Sequence, residues 1–160
     1  KLSTTPHYQQ LCEYIQHELS DIGIKVEIDI FKEAVFRGLV DNSGANFFTK
    51  SWVADYPDAE NFLGLFYSEN FSPNGPNYTH FRNFEFDKLY NMALNEINDS
   101  VRYSYYQQMD QIVMEEAPVV PLYYNEVIRF VHNNIEGLES NSMNMLSLKK
   151  VKKKVMVEEE

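Results

Sequence analysis

Positive charge is scarce in this sequence of 160 residues, because 14 lysines and arginines stand against 24 acidic residues and give a formal net charge of −10. Nucleic-acid binding requires a basic surface that neutralises phosphates, and the only lysine block, Lys149 to Lys154, lies near the end of the chain. The composition therefore argues against a nucleic acid as the partner. Cationic and zwitterionic ligands are compatible with it.

Cysteine and long apolar runs are scarce too. The single cysteine, Cys12, cannot form an internal disulfide, so cysteine usage neither requires nor excludes an oxidising compartment. No apolar run approaches the ~20 residues that a membrane-spanning helix needs, and no signal peptide opens the sequence. Since the sequence starts at Lys1 without an initiating methionine, we expect it to be part of something longer.

The residues that are present predict a globular α/β domain. Hydrophobic residues make up 44% of the chain and aromatic residues 14%, which is enough to form a core. An apolar stripe predicts a helix from Thr5 to Gly23, and alternation predicts a strand over 25–30. The apolar run 46–53 predicts a second strand, because it follows the turn residues 41–44.

The second half of the chain begins with a loop over 70–77, which is rich in proline, glycine and asparagine. Two amphipathic helices are predicted next, with apolar stripes from Phe86 to Ile97 and from Val101 to Val113. Two strands are then predicted, a buried one over 119–124 and another over 127–131. The lysine block is expected to lie in a solvated tail.

The segment from Ser51 to Phe62, called the site loop below, is the strongest candidate for a functional site. It holds the only tryptophan, Trp52, together with three acidic residues, Asp55, Asp58 and Glu60. Aromatic surface beside carboxylates suits ligand binding, although a tryptophan can equally serve as a core residue. Paired carboxylates also suit a glycosidase that uses an acid and a base, so both kinds of chemistry stay open here.

A metal centre is not expected. The segment His17-Glu18-Leu19-Ser20-Asp21 approaches the helical zinc-protease motif, but Asp21 stands where that motif needs its second histidine. A solvated helix face is the expected role of the segment, because no third metal ligand is in sight.

Several motifs occur in a fixed order along the chain. They are Ser51-Trp52-Val53-Ala54-Asp55-Tyr56-Pro57-Asp58, Asn61-Phe62-Leu63, Asn77-Tyr78, Phe84-Glu85-Phe86-Asp87-Lys88-Leu89 and Glu115-Glu116-Ala117-Pro118-Val119-Val120-Pro121-Leu122-Tyr123-Tyr124. Together they resemble the C-terminal part of the family 5 solute-binding proteins, the oligopeptide- and dipeptide-binding components of bacterial ABC importers. The resemblance covers about residues 4–138 and weakens after Gly137.

The resemblance implies a fold and a location. The expected fold is part of the C-terminal lobe of a type II periplasmic-binding-protein fold, an α/β structure with a mixed sheet flanked by helices. Residues 1–122 would form the partial ligand-binding lobe, 123–138 a hinge and crossover, and 139–160 a tail that returns to an N-terminal lobe absent from this chain. Past Gly137 the chain is expected to pack irregularly or to pair with another chain. Such proteins are extracytoplasmic, either periplasmic or tethered to the membrane as lipoproteins.

The resemblance also implies roles for residues. The position of Asp55 is the carboxylate that takes the ligand's α-ammonium group, and Trp52 matches a residue that lines a side-chain pocket. Asp58, Glu60 and Asn61 are expected to serve as loop and helix-start residues. The further expected ligand contacts are Thr49, Val53, Ala54, Tyr123 and Asn125. Thr49 and Asn125 depart from the residues that the family has at these positions.

The function that follows is peptide binding without catalysis, cofactor or metal, with delivery of the ligand to a membrane permease. A non-peptide solute such as a nickel chelate, haem or an oligosaccharide is an alternative ligand. A glycan hydrolase that pairs Asp55 with Asp58 or Glu60 is an alternative activity. An inert interaction module is a third possibility.

Overall fold

The computed structural model describes residues 1–141 and 144–154. Short 3-10 turns at Pro6–Tyr8 and Ser68–Asn70 supplement its helices and strands. In chain order, the helices and strands are β1 (Leu2–Thr4), α1 (Gln9–Asp21), β2 (Ile28–Ile30), α2 (Glu33–Asp41), α3 (Glu60–Leu63), α4 (Phe84–Leu94), α5 (Asp99–Glu116), β3 (Ile135–Glu136) and β4 (Lys152–Lys153).

The first half of the chain is a small α/β layer. Strands β1 and β2 pair in parallel, with Leu2 opposite Ile28, and helix α1 covers them. The helix predicted from Thr5 to Gly23 is confirmed, since the turn Pro6–Tyr8 runs directly into α1. Proline suits the start of a helix, and Gly23, at a φ of +83°, takes the left-handed conformation just after the helix ends. The buried residues of this layer are Leu2, Cys12 and Val26.

The predicted strand over 46–53 is wrong except at one position. Phe48 forms a single parallel bridge to Ser3, whose amide donates to the Phe47 carbonyl at 2.9 Å. In the described residues no further bridge joins this segment to β1, which ends at Thr4. The predicted strand over 25–30 is confirmed only for its last three residues, those of β2.

The second half is built on the two predicted helices, α4 and α5, which pack against each other. Rings of Phe66, Phe81 and Phe86 meet edge to face at centroid distances of 5.8–6.3 Å. The apolar stripe predicted from Phe86 to Ile97 extends beyond the helix that it belongs to, because Ile97 lies in the connection after α4 and is 93% exposed. The buried members of this core are Leu63, Phe81, Phe86, Leu89, Tyr90, Ala93, Tyr106, Met109 and Val113.

The loop between the site loop and α4 is held by a fully buried asparagine. The Asn77 side chain donates to the carbonyls of Tyr67 and Phe81 at 3.1 and 2.9 Å. Its oxygen accepts from the Phe81 amide at 3.2 Å and from the Thr79 hydroxyl at 3.1 Å. The loop predicted over 70–77 is therefore ordered by side-chain hydrogen bonds and packs against the helical core.

The two strands predicted after α5 are wrong for this chain. Residues 119–131 have no helix or strand, and from Val120 onward their large apolar side chains face solvent: Tyr124 is 91% exposed and Phe130 is 97% exposed. An alternating or apolar sequence needs a neighbouring strand to form a ladder, and none lies beside this segment within the described part of the chain.

The end of the described chain forms a minimal antiparallel pair. Ile135 lies opposite Lys153 and Glu136 opposite Lys152, and both lysines are exposed, as expected for a solvated lysine block. Residues 142–143 and 155–160 of the expected tail lie outside the described residues. None of the helices in the described ranges combines the length and hydrophobicity that a membrane span requires.

Candidate functional site

The site loop leaves the small sheet and ends in a helix. Residues 49–54 follow the Phe48 bridge without regular structure, residues 55–58 bend, and α3 begins at Glu60. Trp52 is half-buried, whereas Val53 and Asp55 are exposed. The loop thus presents one carboxylate and part of one indole ring to solvent.

Asn61, on α3, ties Trp52 to Asp55. Its Oδ1 accepts from the indole Nε1 of Trp52 at 2.7 Å and from the backbone N–H of Asp55 at 3.3 Å. The Asn61 residue is itself 9% exposed. Both donors lack any accepting capacity, so the carboxamide must direct its oxygen, and not its NH2 group, toward them.

Glu60 joins the same helix to the core. One carboxylate oxygen accepts from the hydroxyl of Tyr56 on the loop, and the other accepts from the hydroxyl of Tyr90 on α4. Burial, followed by the bond to Glu60, raises the pKa of Tyr90 far above its ordinary value. The bond to Glu60 is the main cause that raises the pKa of Tyr56. Both tyrosines are therefore neutral donors at physiological pH.

Both carboxylate oxygens of Asp58 also contact groups of the protein itself. One of its oxygens accepts from the backbone N–H of Glu60 at 2.9 Å, which satisfies a free donor at the start of α3. The other lies 3.6 Å from the guanidinium of Arg102, which also pairs with Asp99 at 2.9 Å. Burial and a hydrogen bond to Asp58 raise the pKa of Tyr106 to about 12.

Asp55 differs from both of these acids. Its side chain is exposed, and within residues 1–141 and 144–154 no hydrogen bond or ion pair engages its carboxylate. Of the three acids on the site loop, Asp55 is the one left available to a ligand. A carboxylate in that state can form a charge-assisted hydrogen bond with a cationic group.

The other residues predicted to contact a ligand are more dispersed. Ala54 is half-buried on the site loop beside Asp55. The Thr49 hydroxyl lies 2.8 Å from that of Thr4 and is thus turned toward the small sheet. Tyr123 and Asn125 are exposed on the irregular segment after α5, and in the described part of the chain no hydrogen bond links their side chains to the site loop.

Sequence reasoning identified Asp58, Glu60 and Asn61 as loop and helix-start residues, and the structure agrees. It missed their long-range partners, Tyr90 and Arg102. One signal was available for Tyr90, because a tyrosine within a buried apolar stripe needs a partner for its hydroxyl group. No local pattern indicated which acid that partner would be.

The first half of the chain matches a known protein family. Residues 2–74 match the family model described as bacterial extracellular solute-binding proteins, family 5 Middle. The dipeptide-binding protein DppE of Bacillus subtilis (strain 168) is 29% identical over 150 residues, which are 92% of this chain and 26% of that relative. The resemblance predicted from the motifs is confirmed.

Solved structures share the fold. The dipeptide binding protein from Pseudoalteromonas sp. SM9913 in complex with Met-Leu has a TM-score of 0.72 and 25% identity, and the match covers 95% of this chain and 32% of that one. The periplasmic binding protein DppA from Helicobacter pylori in complex with the peptide STSA has a TM-score of 0.76 at 21% identity, over 95% of this chain and 30% of that one. The predicted fold class, part of a type II periplasmic binding protein, is confirmed.

Length sets the scope of these comparisons. The chain spans about a quarter of the length of the curated relatives it matches, and about a third of these two solved chains.

Proposed function

We propose that this chain belongs to the bacterial extracellular solute-binding proteins of family 5, whose model matches residues 2–74, and that it forms part of the ligand-binding lobe of a peptide-binding protein. Several of the similar chains are named for dipeptides or oligopeptides, others are named for deoxycholate or haem, and the two solved structures described above contain a peptide. A peptide with a free α-amino group is the proposed ligand, and an ABC permease is the proposed recipient. The proposed location is extracytoplasmic.

The free carboxylate of Asp55 is the observation that carries this proposal. A site for an α-ammonium group needs an ionised carboxylate whose oxygens are not already engaged by donors of the protein itself. Asp58 and Glu60 fail that requirement, since Arg102, Tyr90 and Tyr56 already bond to them. Asp55 meets it, and a closed cleft around it would strengthen its bond to a ligand cation by excluding water.

Trp52 supplies the second part of the proposed site. Its indole N–H is used by Asn61, so a ligand would meet the flat apolar face of the ring. Such a face accepts varied side chains without selecting one. We assign Val53 and Ala54 to the same wall, and Thr49, Tyr123 and Asn125 to its edges.

The domain boundaries belong to the same proposal. Residues 1–122 would supply one wall of the cleft, residues 123–138 a hinge and crossover, and residues 139–160 a return to a second lobe. The exposure of apolar side chains over 120–131 supports this assignment, because such a segment is expected to be covered by other parts of a two-lobed protein.

The internal bonds of Asp58 and Glu60 also weigh against the glycan hydrolase. A retaining or inverting glycosidase needs two carboxylates that are free to exchange a proton with substrate or water. Within the described residues, Asp55 is the one acid on the site loop whose carboxylate has no hydrogen bond or ion pair to the protein.

The test is the substitution Asp55→Asn in an intact protein, that is, one that contains this chain together with the second lobe. Calorimetry would compare a dipeptide that has a free amino group with the same dipeptide N-acetylated. We expect affinity for the free dipeptide to fall about 10- to 100-fold, since a charge-assisted hydrogen bond contributes about 1.5 to 3 kcal/mol. Affinity for the acetylated dipeptide should change little.

Glu69→Gln is the matched control, because Glu69 is another exposed acid, located outside the site loop. It should leave both affinities unchanged. Equal losses for the two dipeptides in Asp55→Asn would contradict the ammonium role.

A further inference from the structure

Trp52 and Asp55 are separated by two residues that belong to neither a helix nor a strand. Regular hydrogen bonding therefore cannot fix the distance between the indole ring and the carboxylate. A site that uses both groups needs another element to hold them, because a loop that orders only upon binding lowers affinity through its entropy cost.

Asn61 meets this requirement. A single oxygen, Oδ1, accepts from the Trp52 side chain at 2.7 Å and from the Asp55 backbone at 3.3 Å, so one atom of a buried residue fixes both groups. The Asp55 bond uses the backbone N–H and leaves the carboxylate free. The Trp52 bond uses the ring edge and leaves the ring face free.

Asn61 is in turn held by the core. It follows Glu60 on α3, and Glu60 accepts from Tyr90, which is buried on α4 and stacks on Tyr67 at a centroid distance of 4.4 Å. Asp58 binds the start of the same helix. The carboxamide therefore sits on a helix that cannot shift without breaking contacts in the core.

We propose that Asn61 is the positioning residue of the peptide site: its Oδ1 sets the Trp52 ring relative to the Asp55 carboxylate before ligand arrives. The proposal rests on the proposed peptide function for its effect on affinity. Its structural part, the two-donor bond, can be measured without any ligand.

The first test uses Asn61→Leu, which keeps the size of the side chain and removes the acceptor, and Asn61→Asp, which keeps an oxygen at the same place. Trp52 is the only tryptophan of this chain, so in this chain its emission and near-ultraviolet circular dichroism report on that one ring. We expect Asn61→Leu to shift the emission and weaken the circular dichroism. Asn61→Asp should restore both signals toward those of the unchanged protein.

The second test measures binding in the intact two-lobed protein. Affinity for a dipeptide with a free amino group should fall about tenfold in Asn61→Leu and stay within about threefold in Asn61→Asp, on a scale where tenfold corresponds to about 1.4 kcal/mol. Asn70→Leu is the control, because its half-buried carboxamide donates to the Gly64 carbonyl at 2.9 Å and touches neither Trp52 nor Asp55. That control should leave the affinity unchanged.

A third measurement covers the case in which Asn61→Leu fails to fold. Hydrogen exchange in the unchanged protein should show the Asp55 amide more protected than the amide of the exposed Val53. Equal exchange at the two amides, or an Asn61→Leu protein with unchanged Trp52 signals or unchanged affinity, would overturn the proposal.

These outcomes separate the two proposals. Equal loss for free and acetylated dipeptides in Asp55→Asn would refute the ammonium role, whereas the Trp52 signals and the Asp55 amide exchange would still decide whether Asn61 positions the loop.

Discussion

At the scale of single residues, the site loop illustrates how neighbouring acids acquire different roles. Asp55, Asp58 and Glu60 are chemically alike and lie within six positions of one another. Two of them satisfy donors of the scaffold, including the Tyr90 hydroxyl, whose burial without an acceptor would cost about 1 to 3 kcal/mol. The third is left free, and that difference makes it the proposed ligand contact.

Tyr106 gives a pH-dependent prediction at this scale. Its pKa is raised to about 12 in the folded chain, chiefly by burial, whereas an exposed tyrosine ionises near 10. Below pH ~10 both the folded and the unfolded states keep the proton on Tyr106, so its full contribution to the free energy of unfolding is present. Between about pH 10 and 12 the unfolded state loses the proton first, so the free energy of unfolding falls as pH rises.

Urea denaturation of the unchanged chain and of Tyr106→Phe, from pH 8 to pH 11.5, would measure this effect. Over that range we expect the free energy of unfolding to fall by up to about 2 kcal/mol more in the unchanged chain than in the variant, since one pKa unit corresponds to about 1.4 kcal/mol. Stability curves that stay parallel across the range would contradict the assignment.

At the scale of elements, helix α5 is the long support on which the site loop depends through Arg102 and Tyr106. Its N-terminus is capped by Asn98, whose Oδ1 accepts from the amides of Ser100 at 3.0 Å and Val101 at 3.4 Å. Arg102 lies in the first turn after that cap, so fraying there would move the partner of Asp58.

Substitution of the cap gives the prediction for this element. Asn98→Ala should lower the free energy of unfolding by about 1 kcal/mol, because two amides lose their acceptor. Asn98→Ser is the matched control, since a serine hydroxyl also caps helices, and it should cost only a few tenths of a kcal/mol. Thermal and urea denaturation would distinguish the two variants, and equal losses would show that the cap is not what stabilises α5.

At the scale of the whole molecule, the segment 119–131 stands out. Its side chains include Tyr124 and Phe130, both almost fully exposed, on a chain with no covering element in the described residues. Soluble proteins rarely leave such a continuous apolar surface uncovered. The proposed hinge and crossover account for this surface, because a second lobe would bury it and would supply the strands that the sequence pattern anticipates.

Limited digestion with chymotrypsin tests this prediction. Cleavage after Tyr124 and Phe130 should be fast in the 160-residue chain and at least about tenfold slower in a protein that contains both lobes, because protection of a covered segment follows the free energy of opening it. Cleavage after Phe84, which is exposed at the start of α4, serves as the reference site. Equal rates at Phe130 in the two proteins would contradict the proposed crossover.

Much of this protein could be predicted from the sequence because the signals are local. The helix that ends before Gly23, the two amphipathic helices and the loop around Asn77 follow from periodicity, end signals and turn residues. The order of motifs around Trp52 and Asp55 indicated the family. Each of these features depends on residues that are close together in the chain.

Only the tertiary structure decided which groups meet. A strand forms where another strand offers its hydrogen bonds, so the apolar runs at 46–53 and 119–131 did not become the predicted strands. Likewise, Glu60 and Asp58 find their long-range partners, Tyr90 and Arg102, on helices that lie 30 or more residues further along the chain. The sequence by itself determined that an indole ring and carboxylates share one loop; the contacts of Asn61, Glu60 and Asp58 determined which carboxylate is left free.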